Sequence, residues 1–319
     1  MRILVTGGAG FIGSHVADAY VKLGHDVAVL DDLSRGFRDN VNPRARFYRE
    51  DICDGAAVES VFADFQPEII NHHAAQMDVR RAVREPLLDA TINIVGSLNL
   101  LEAARKNAAS HFIYVSSAGA GYGEPEQLPV PESYPLNPIT PYGITKHTVE
   151  HYLYTYQRLY GMTYVVLRYG NVYGPRQSSK GEAGVFAMFC EQMLAGAQPV
   201  IYGDGNKLRD YIYIDDVVAA NVAALAHGWG EIFNIASGTA TSDYEVFCLV
   251  RNLLGKPEVE PRYVSKRAGE IDRICLDISK ARRLLTWSPT VSLSDGARRT
   301  VSFFEQAHSA PAARPVVVA

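Results

Sequence analysis

The chain has 319 residues, 47% of them hydrophobic and 21% charged, with a formal net charge of −4. That length suits one large domain or two closely joined ones, and the mild acidity offers no basic surface for nucleic acid. No apolar run suggests a membrane partner, "MRILVTGG" opens a strand rather than a signal peptide, and four cysteines without a C-x-x-C pair read as reduced, buried and cytoplasmic.

In chain order, residues 2–7 read as a buried strand and 14–24 as an amphipathic helix ending at Gly24. Strands follow at 26–32 and 45–51, a helix at 56–65, a strand at 68–75 and a helix at 87–107. A strand at 111–117, a helix at 141–160 and a strand at 163–170 complete the first half. This alternation predicts an α/β fold, a Rossmann-type doubly wound parallel sheet covered on both faces. The second half is less regular. It offers a helix at 184–196, a strand entering a helix capped near Asp215 (209–227), a strand at 231–237 and a helix at 242–255. The expected division is a dinucleotide-binding domain over 1–170, to which 209–235 returns. A smaller, discontinuous substrate-binding part covers 171–305, and 306–319 is a loose tail.

"VTGGAGFIG" places Gly7, Gly10 and Gly13 directly after a strand, with Phe11 and Ile12 opening the helix. Glycines at this spacing permit a tight turn and let the backbone approach a pyrophosphate at the helix N-terminus. Asp31 ends the next strand, where an acid holds a ribose hydroxyl and repels a 2′-phosphate; NAD is therefore favoured over NADP. Asp32 is the alternative acid.

The segment "TPYGITKHTVEH" (140–151) carries two chemical patterns. Thr140 is placed to cap a helix that Pro141 begins. Tyr142 and Lys146 lie about 40° apart on it, and His147 and His151 lie roughly 140° round from Tyr142. The Tyr–Lys pair suits proton transfer beside a nicotinamide: a nearby cation lowers a phenol's pKa toward working pH. His147, Glu150 and His151 form an inverted zinc-protease pattern, but the rest of the chain specifies no third protein ligand. These three read as a solvated or interface face, with no metal expected. His72 and His73 point to opposite faces of their strand and read as packing residues. Ser116 and Ser117 end the strand before the helix, where a hydroxyl can reach a reacting oxygen.

With these motifs in place, the chain resembles the extended short-chain dehydrogenase/reductase family and, within it, the UDP-glucose 4-epimerases. The resemblance runs over residues 1–305. It is carried by "TGGAGFIGSH", "DDLS", "HHAAQMDVR", "SSAGAGYG", "PYGITK", "LRYGNVYGPRQ", "GEAGVFAMF", "YGDGNKLRDYIYIDDVV" and "RAGEI…LD…LLTWSP", in the family's order. It implies NAD held at Gly7, Gly10 and Gly13, with Asp31 on the ribose. Asp51 and Ile52 would flank the adenine, and Ala74, Ala75 and Gln76 would line the cofactor. Tyr142 would be the acid/base, and Lys146 would hold the nicotinamide ribose and tune Tyr142. Asn171 would touch a UDP-sugar, and Arg209 and Arg267 would grip its diphosphate.

One position departs from the pattern. The family's usual Ser or Thr position, five residues before Gly123, is Ala118. The expectation is that a loop, "SAGAG", lets Ser117 serve, with Ser116 in reserve. Ala118 and Gly119 also occupy the acid pair of the related dehydratases, so elimination lacks its proton donor. The implied reaction is 4-epimerisation of a UDP-hexose through a 4-keto sugar with NAD retained. UDP-N-acetylhexosamine or UDP-uronate epimerisation, or an inactive nucleotide-binding protein, are the alternatives. Arg176 is the cation available for a uronate, and Ile274 the position for N-acetyl tolerance. The helices at 87–107 and 141–160, with Tyr152, Leu153, Tyr156 and Leu159, imply a two-fold homodimer.

Overall fold

A computed structural model describes residues 1–178, 184–267 and 269–309. Its strands run in chain order as β1 Arg2–Thr6, β2 Asp26–Leu30, β3 Arg46–Tyr48, β4 Ile69–His72, β5 His111–Ser117 and β6 Thr163–Tyr169. Then come β7 Asn171–Tyr173, β8 Val200–Tyr202, β9 Leu208–Tyr213, β10 Glu231–Ile235, β11 Ala240–Ser242 and β12 Arg262–Val264. The central sheet is parallel throughout, in the order β10-β6-β5-β4-β1-β2-β3. The order reverses at β1 and β4, so the crevice beyond the carboxyl ends of the strands is where ligands bind in such sheets.

β1 shows why the sheet is buried on both faces. Ile3 and Val5 join one apolar cluster, and Leu4 joins the other, as the two-residue side-chain period dictates. Helices Phe11–Lys22 and Ile214–Ala224 pack together on the first side. Helices Gly55–Phe65, Pro86–Lys106 and Pro141–Tyr160 cover the second. A three-stranded sheet (β11-β9-β7) and a two-stranded one (β12-β8) belong to the second half of the chain.

Several expectations change. The helix at 214–224 starts after Tyr213, and Asp215 lies in its first turn rather than at its cap. Residues 118–122 form a short helix, not a loop. The final helix, Leu293–Ser309, takes up the first four residues of the expected tail, and 310–319 lie outside the described residues. Part of the stretch "SSKGEAGVF" also lies outside them. Cys190 and Cys275 are buried, whereas Cys53 and Cys248 are only half-buried; all four are free. Helix Pro86–Lys106 is long and apolar enough to pass for a membrane span, but 44% of its most apolar window is buried inside the protein.

The two helices of the first face are tied to the sheet by a buried polar network. Asn71 Nδ2 donates to Tyr20 Oη (2.7 Å) and to Asn221 Oδ1 (2.9 Å), and Asn221 Nδ2 donates to Tyr169 Oη (2.6 Å). Asn221 and Asn71 are fully enclosed. Replacing Asn221 by Ala takes its side-chain partner from the buried Tyr169 hydroxyl on β6 and one of two acceptors from Asn71 on β4. The expected loss is about 1–3 kcal/mol, read as a lower denaturant midpoint with an unchanged slope.

Candidate active site

The glycine turn is built by steric exclusion. A Cβ on Gly7 (φ +68°) would lie 2.6 Å from the Ala74 nitrogen, and one on Gly13 would lie 2.4 Å from the Gly7 carbonyl oxygen. Neither position can carry a side chain without moving backbone. The turn meets Ala74 and the start of helix Phe11–Lys22, whose first amide groups face the crevice. Asp31 is buried, and its oxygens accept from the amides of Ala9 (3.0 Å) and Leu33 (2.9 Å). Burial raises its pKa and those two hydrogen bonds oppose the rise. Asp32 is exposed and closes a turn onto Ser34. The structure thus places Asp31, not Asp32, against the glycine loop.

Beyond β4 the residues divide. Ile52 is buried in the turn after β3 and Asp51 is exposed, its carboxylate accepting from the Cys53 amide at 2.8 Å. Ala74 and Ala75 are half-buried. Gln76 spends its side-chain amide internally, on Asp78 and on Asp89 Oδ1. It therefore braces the loop more than it faces a ligand. His72 is satisfied by Thr6 (2.6 Å) and Ser97 (2.9 Å). His73 is not a satisfied packing residue: both its ring nitrogens are buried without a hydrogen-bond partner. Burial, and then the Lys146 charge, push its pKa down to about 3. A neutral imidazole with two unmet nitrogens next to Gly7 suits a polar ligand in this crevice.

The helix Pro141–Tyr160 starts as expected. Thr140 accepts from the Gly143 amide, and Pro141 occupies the first turn. Tyr142 and Lys146 face the crevice from this helix. Ser117, at the carboxyl end of β5, is close enough to Tyr142 to favour its phenolate. Ser116 instead points away, donating to Glu150 Oε1 at 2.6 Å. Ala118 is fully buried with Tyr122, Ile274 and Leu276. That packing accounts for the alanine: position 118 belongs to a small core. Ile274 is a core residue, 1% exposed.

Electrostatics modify the simple Tyr–Lys account. Burial pushes Tyr142 up to about 12, the Asp89 charge adds to the rise, and the Ser117 hydrogen bond opposes it. Burial lowers Lys146 to about 8, against the pull of Asp89 and Glu150. Its ammonium lies 4.7 Å from the centre of the Tyr114 ring. In the protein alone, then, Tyr142 is a phenol at neutral pH: desolvation and the Asp89 charge set its pKa, and the expected lowering by Lys146 is not among its causes.

Three of the supporting residues were not expected. Asp89 accepts from Thr145 (2.8 Å), Asn93 and Gln76. Asn93 sits in a π-helical turn, Thr91–Val95, that lets its amide reach across; such turns recur at functional sites. Glu150 was expected on a solvated face, yet it is 5% exposed and bound by Arg168 at 2.6 and 3.0 Å. Its spacing of four from Lys146, which is itself four from Tyr142, was the available signal. His147 and His151 do lie on the outer side, 3.0 Å apart at their Nε2 atoms.

Asn171, Arg209 and Arg267 line one pocket, together with Lys207, Tyr202, Asp243 and Glu270. Arg209 is held by the carbonyls of Leu208 (2.9 Å) and Ile271 (2.7 Å). Arg267 lies over the Tyr202 ring, 3.4 Å from its centre. Arg176 is elsewhere, paired with Asp18 at 2.8 Å. It is committed to the first helix rather than to this pocket.

Comparison with known proteins agrees with this geometry. Residues 3–236 match the model of the NAD dependent epimerase/dehydratase family. A putative UDP-glucose 4-epimerase of Methanocaldococcus jannaschii is 46% identical over 305 residues, spanning 95% of this chain and 98% of that protein. The crystal structure of a Thermotoga maritima UDP-glucose 4-epimerase with UDP-glucose superposes with a TM-score of 0.94 at 47% identity, covering 96% of this chain and 99% of that one. A Thermus thermophilus UDP-glucose 4-epimerase in complex with NAD gives 0.92 at 41% identity, covering 96% and 100%.

The Glu150 carboxyl is held down to about 2, because hydrogen bonds from His147, Arg168 and Ser116 and the Arg168 charge outweigh a large burial penalty. A depressed carboxyl contributes stability above its ordinary value of 4.5, and that contribution is lost as pH falls toward about 2. Glu150→Gln should therefore cost about 3–5 kcal/mol at pH 7 by stranding Arg168. The gap from the parent should narrow between pH 4.5 and 2 in urea unfolding. A gap that stays constant over that range would contradict the assignment.

Proposed function

The chain belongs to the NAD dependent epimerase/dehydratase family, and we propose that it interconverts UDP-glucose and UDP-galactose through a transient 4-keto sugar. The observation that carries this reading is Tyr142 set close to Ser117 at the carboxyl end of β5, one helical turn from the buried Lys146.

NAD fits the crevice by its donors and its shape. Gly7 and Gly13 leave room where a Cβ would strike backbone, and the His73 nitrogens lack partners within the protein. Gly10, Phe11 and Ile12 contribute the helix start, Asp31 the ribose acid, and Ile52, Ala74 and Ala75 the walls. NAD supplies the acceptor from which the C4 hydride returns to the opposite face of the sugar.

The chain's own residues handle the proton and the position. Tyr142 takes the proton of the 4-hydroxyl during oxidation and gives it back during reduction. Ser117 lies close to that phenol and holds the substrate oxygen in line with it. Lys146, cationic below about pH 8, favours the phenolate whenever it forms. Asn171, Arg209 and Arg267 anchor the nucleotide, leaving the sugar free to turn over. Arg176 is paired with Asp18, so the uronate alternative lacks its cation. The intact Tyr142–Ser117 pair argues against a protein that only binds.

The reading extends to assembly and setting. Leu87, Val95, Ile144, Tyr152 and Leu159 leave large apolar side chains exposed on helices 86–106 and 141–160. Leu153 and Tyr156 instead belong to the chain's own core. The exposed set forms the surface of a two-fold dimer. Free cysteines suit a cytoplasmic protein.

Purified protein given UDP-galactose and no added nucleotide should yield UDP-glucose by NMR. No product, with NAD still released by acid, would shift the reading to another UDP-sugar. Tyr142→Phe should lower kcat about 10³-fold and leave the released NAD unchanged. Leu159→Glu should turn the dimer into monomer in sedimentation velocity.

A further inference from the structure

Lys207 is an ionic side chain that the reaction above does not use. It precedes β9 and is 8% exposed, although it carries an ammonium. Burying such a group is expensive unless it is paired. Its Nζ lies 2.7 Å from Glu270 Oε2 and 3.3 Å from Asp243 Oδ2. Asp243 opens the helix Asp243–Leu253 and also accepts from the Tyr211 hydroxyl at 3.1 Å. Glu270 lies on the segment that carries Arg267, and its other oxygen is 3.8 Å from the Arg267 Nη1. All four charged groups line the pocket that contains Asn171 and Arg209.

The distances describe a competition. Glu270 stands between two cations and is closer to Lys207 by about an ångström (2.7 against 3.8 Å). A carboxylate that closes fully on a guanidinium takes up the bidentate face an incoming phosphate would use. Lys207 draws Glu270 the other way. The Arg267 guanidinium, stacked over Tyr202, is then left 3.8 Å from Glu270, beyond hydrogen-bond length. The backbone supports the same arrangement: the Leu208 amide donates to the Asp272 carbonyl at 2.9 Å, and the Asp243 amide to the Lys207 carbonyl at 3.2 Å. Lys207 thus fastens three separate segments at the pocket wall.

We propose that Lys207 is a positioning residue for diphosphate recognition. It holds Glu270 away from Arg267, so that Arg267 can engage the anionic part of the nucleotide. This rests on reading the Asn171–Arg267 pocket as the nucleotide site.

The test is binding by the NAD-loaded protein of UDP, which carries the diphosphate, and of uridine, which does not. UDP is measured by calorimetry and uridine by competition. Wild-type protein binding UDP supports the pocket reading; no UDP binding sinks that reading and the inference with it. With wild-type binding in hand, Lys207→Met should raise the Kd for UDP at least tenfold. The Kd for uridine should change less than twofold, and KM for UDP-galactose should rise with kcat falling less than threefold. Lys207→Arg should restore UDP binding to within threefold. Lys207→Met/Glu270→Gln should recover part of the UDP affinity, because the competing charge is gone. Unchanged UDP affinity in Lys207→Met overturns the inference alone. So does an equal loss for UDP and uridine, or a double variant no better than the single one; each would make the ion pairs purely structural. If Lys207→Met does not fold, the double variant against Glu270→Gln alone makes the same comparison: equal UDP affinities support the inference, and a tenfold loss confined to the double overturns it.

Discussion

The site hangs on one buried ion pair. Arg168 on β6 and Glu150 on the helix Pro141–Tyr160 meet at 2.6 Å with both side chains 4% exposed. Arg168 also donates to the Tyr122 hydroxyl at 2.9 Å, and Glu150 accepts from Ser116. Ser116 and Arg168 are register partners on neighbouring strands. One carboxylate therefore joins a helix, two strands and a short helix at the end of the sheet where Ser117 and Tyr142 meet. Buried pairs seldom add net stability over an apolar replacement. The value of this one is geometric: its directional hydrogen bonds fix the height and rotation of the helix against β5. A slip of one residue would turn Tyr142 by about 100° and remove it from Ser117.

The same burial that fixes the geometry sets the proton chemistry. Tyr142 is pushed up to about 12 and Lys146 down to about 8, both toward their neutral forms. Asp89 opposes phenolate formation from one side while helping Lys146 keep its charge from the other. A tyrosine held as a phenol does not act as a base on its own. Positive charge brought close to the phenol would lower that barrier.

The sequence was most legible where periodicity and punctuation agree. The helix 141–160 begins at a Thr-Pro cap and ends at Gly161, which adopts φ +72°. The strand 111–117 is an apolar run bounded by turns, and both matched their expected limits. Three-residue strands such as β7, β8, β11 and β12 carry too few positions to show a period. The helix 293–309 was not read from the sequence, and it contains Gly296. The structure shows why it is there: a Cβ would lie 2.2 Å from the Tyr173 hydroxyl oxygen. Ionic residues were the hardest to place. Glu150 and Lys207 are polar by composition, so nothing local marks them as buried; their partners are 18 and 63 residues away. Gln76 was expected to face the cofactor, but a partner 13 residues on turns it inward.

Asp31 has a consequence for how this chain could change over evolutionary time. Its two oxygens serve the Ala9 and Leu33 amides, so the acid whose charge would repel a 2′-phosphate also closes the glycine turn. An asparagine at this position would lose the charge yet keep only one acceptor oxygen for two backbone amides. Any change that relaxes the choice of cofactor therefore also loosens the loop that would bind it.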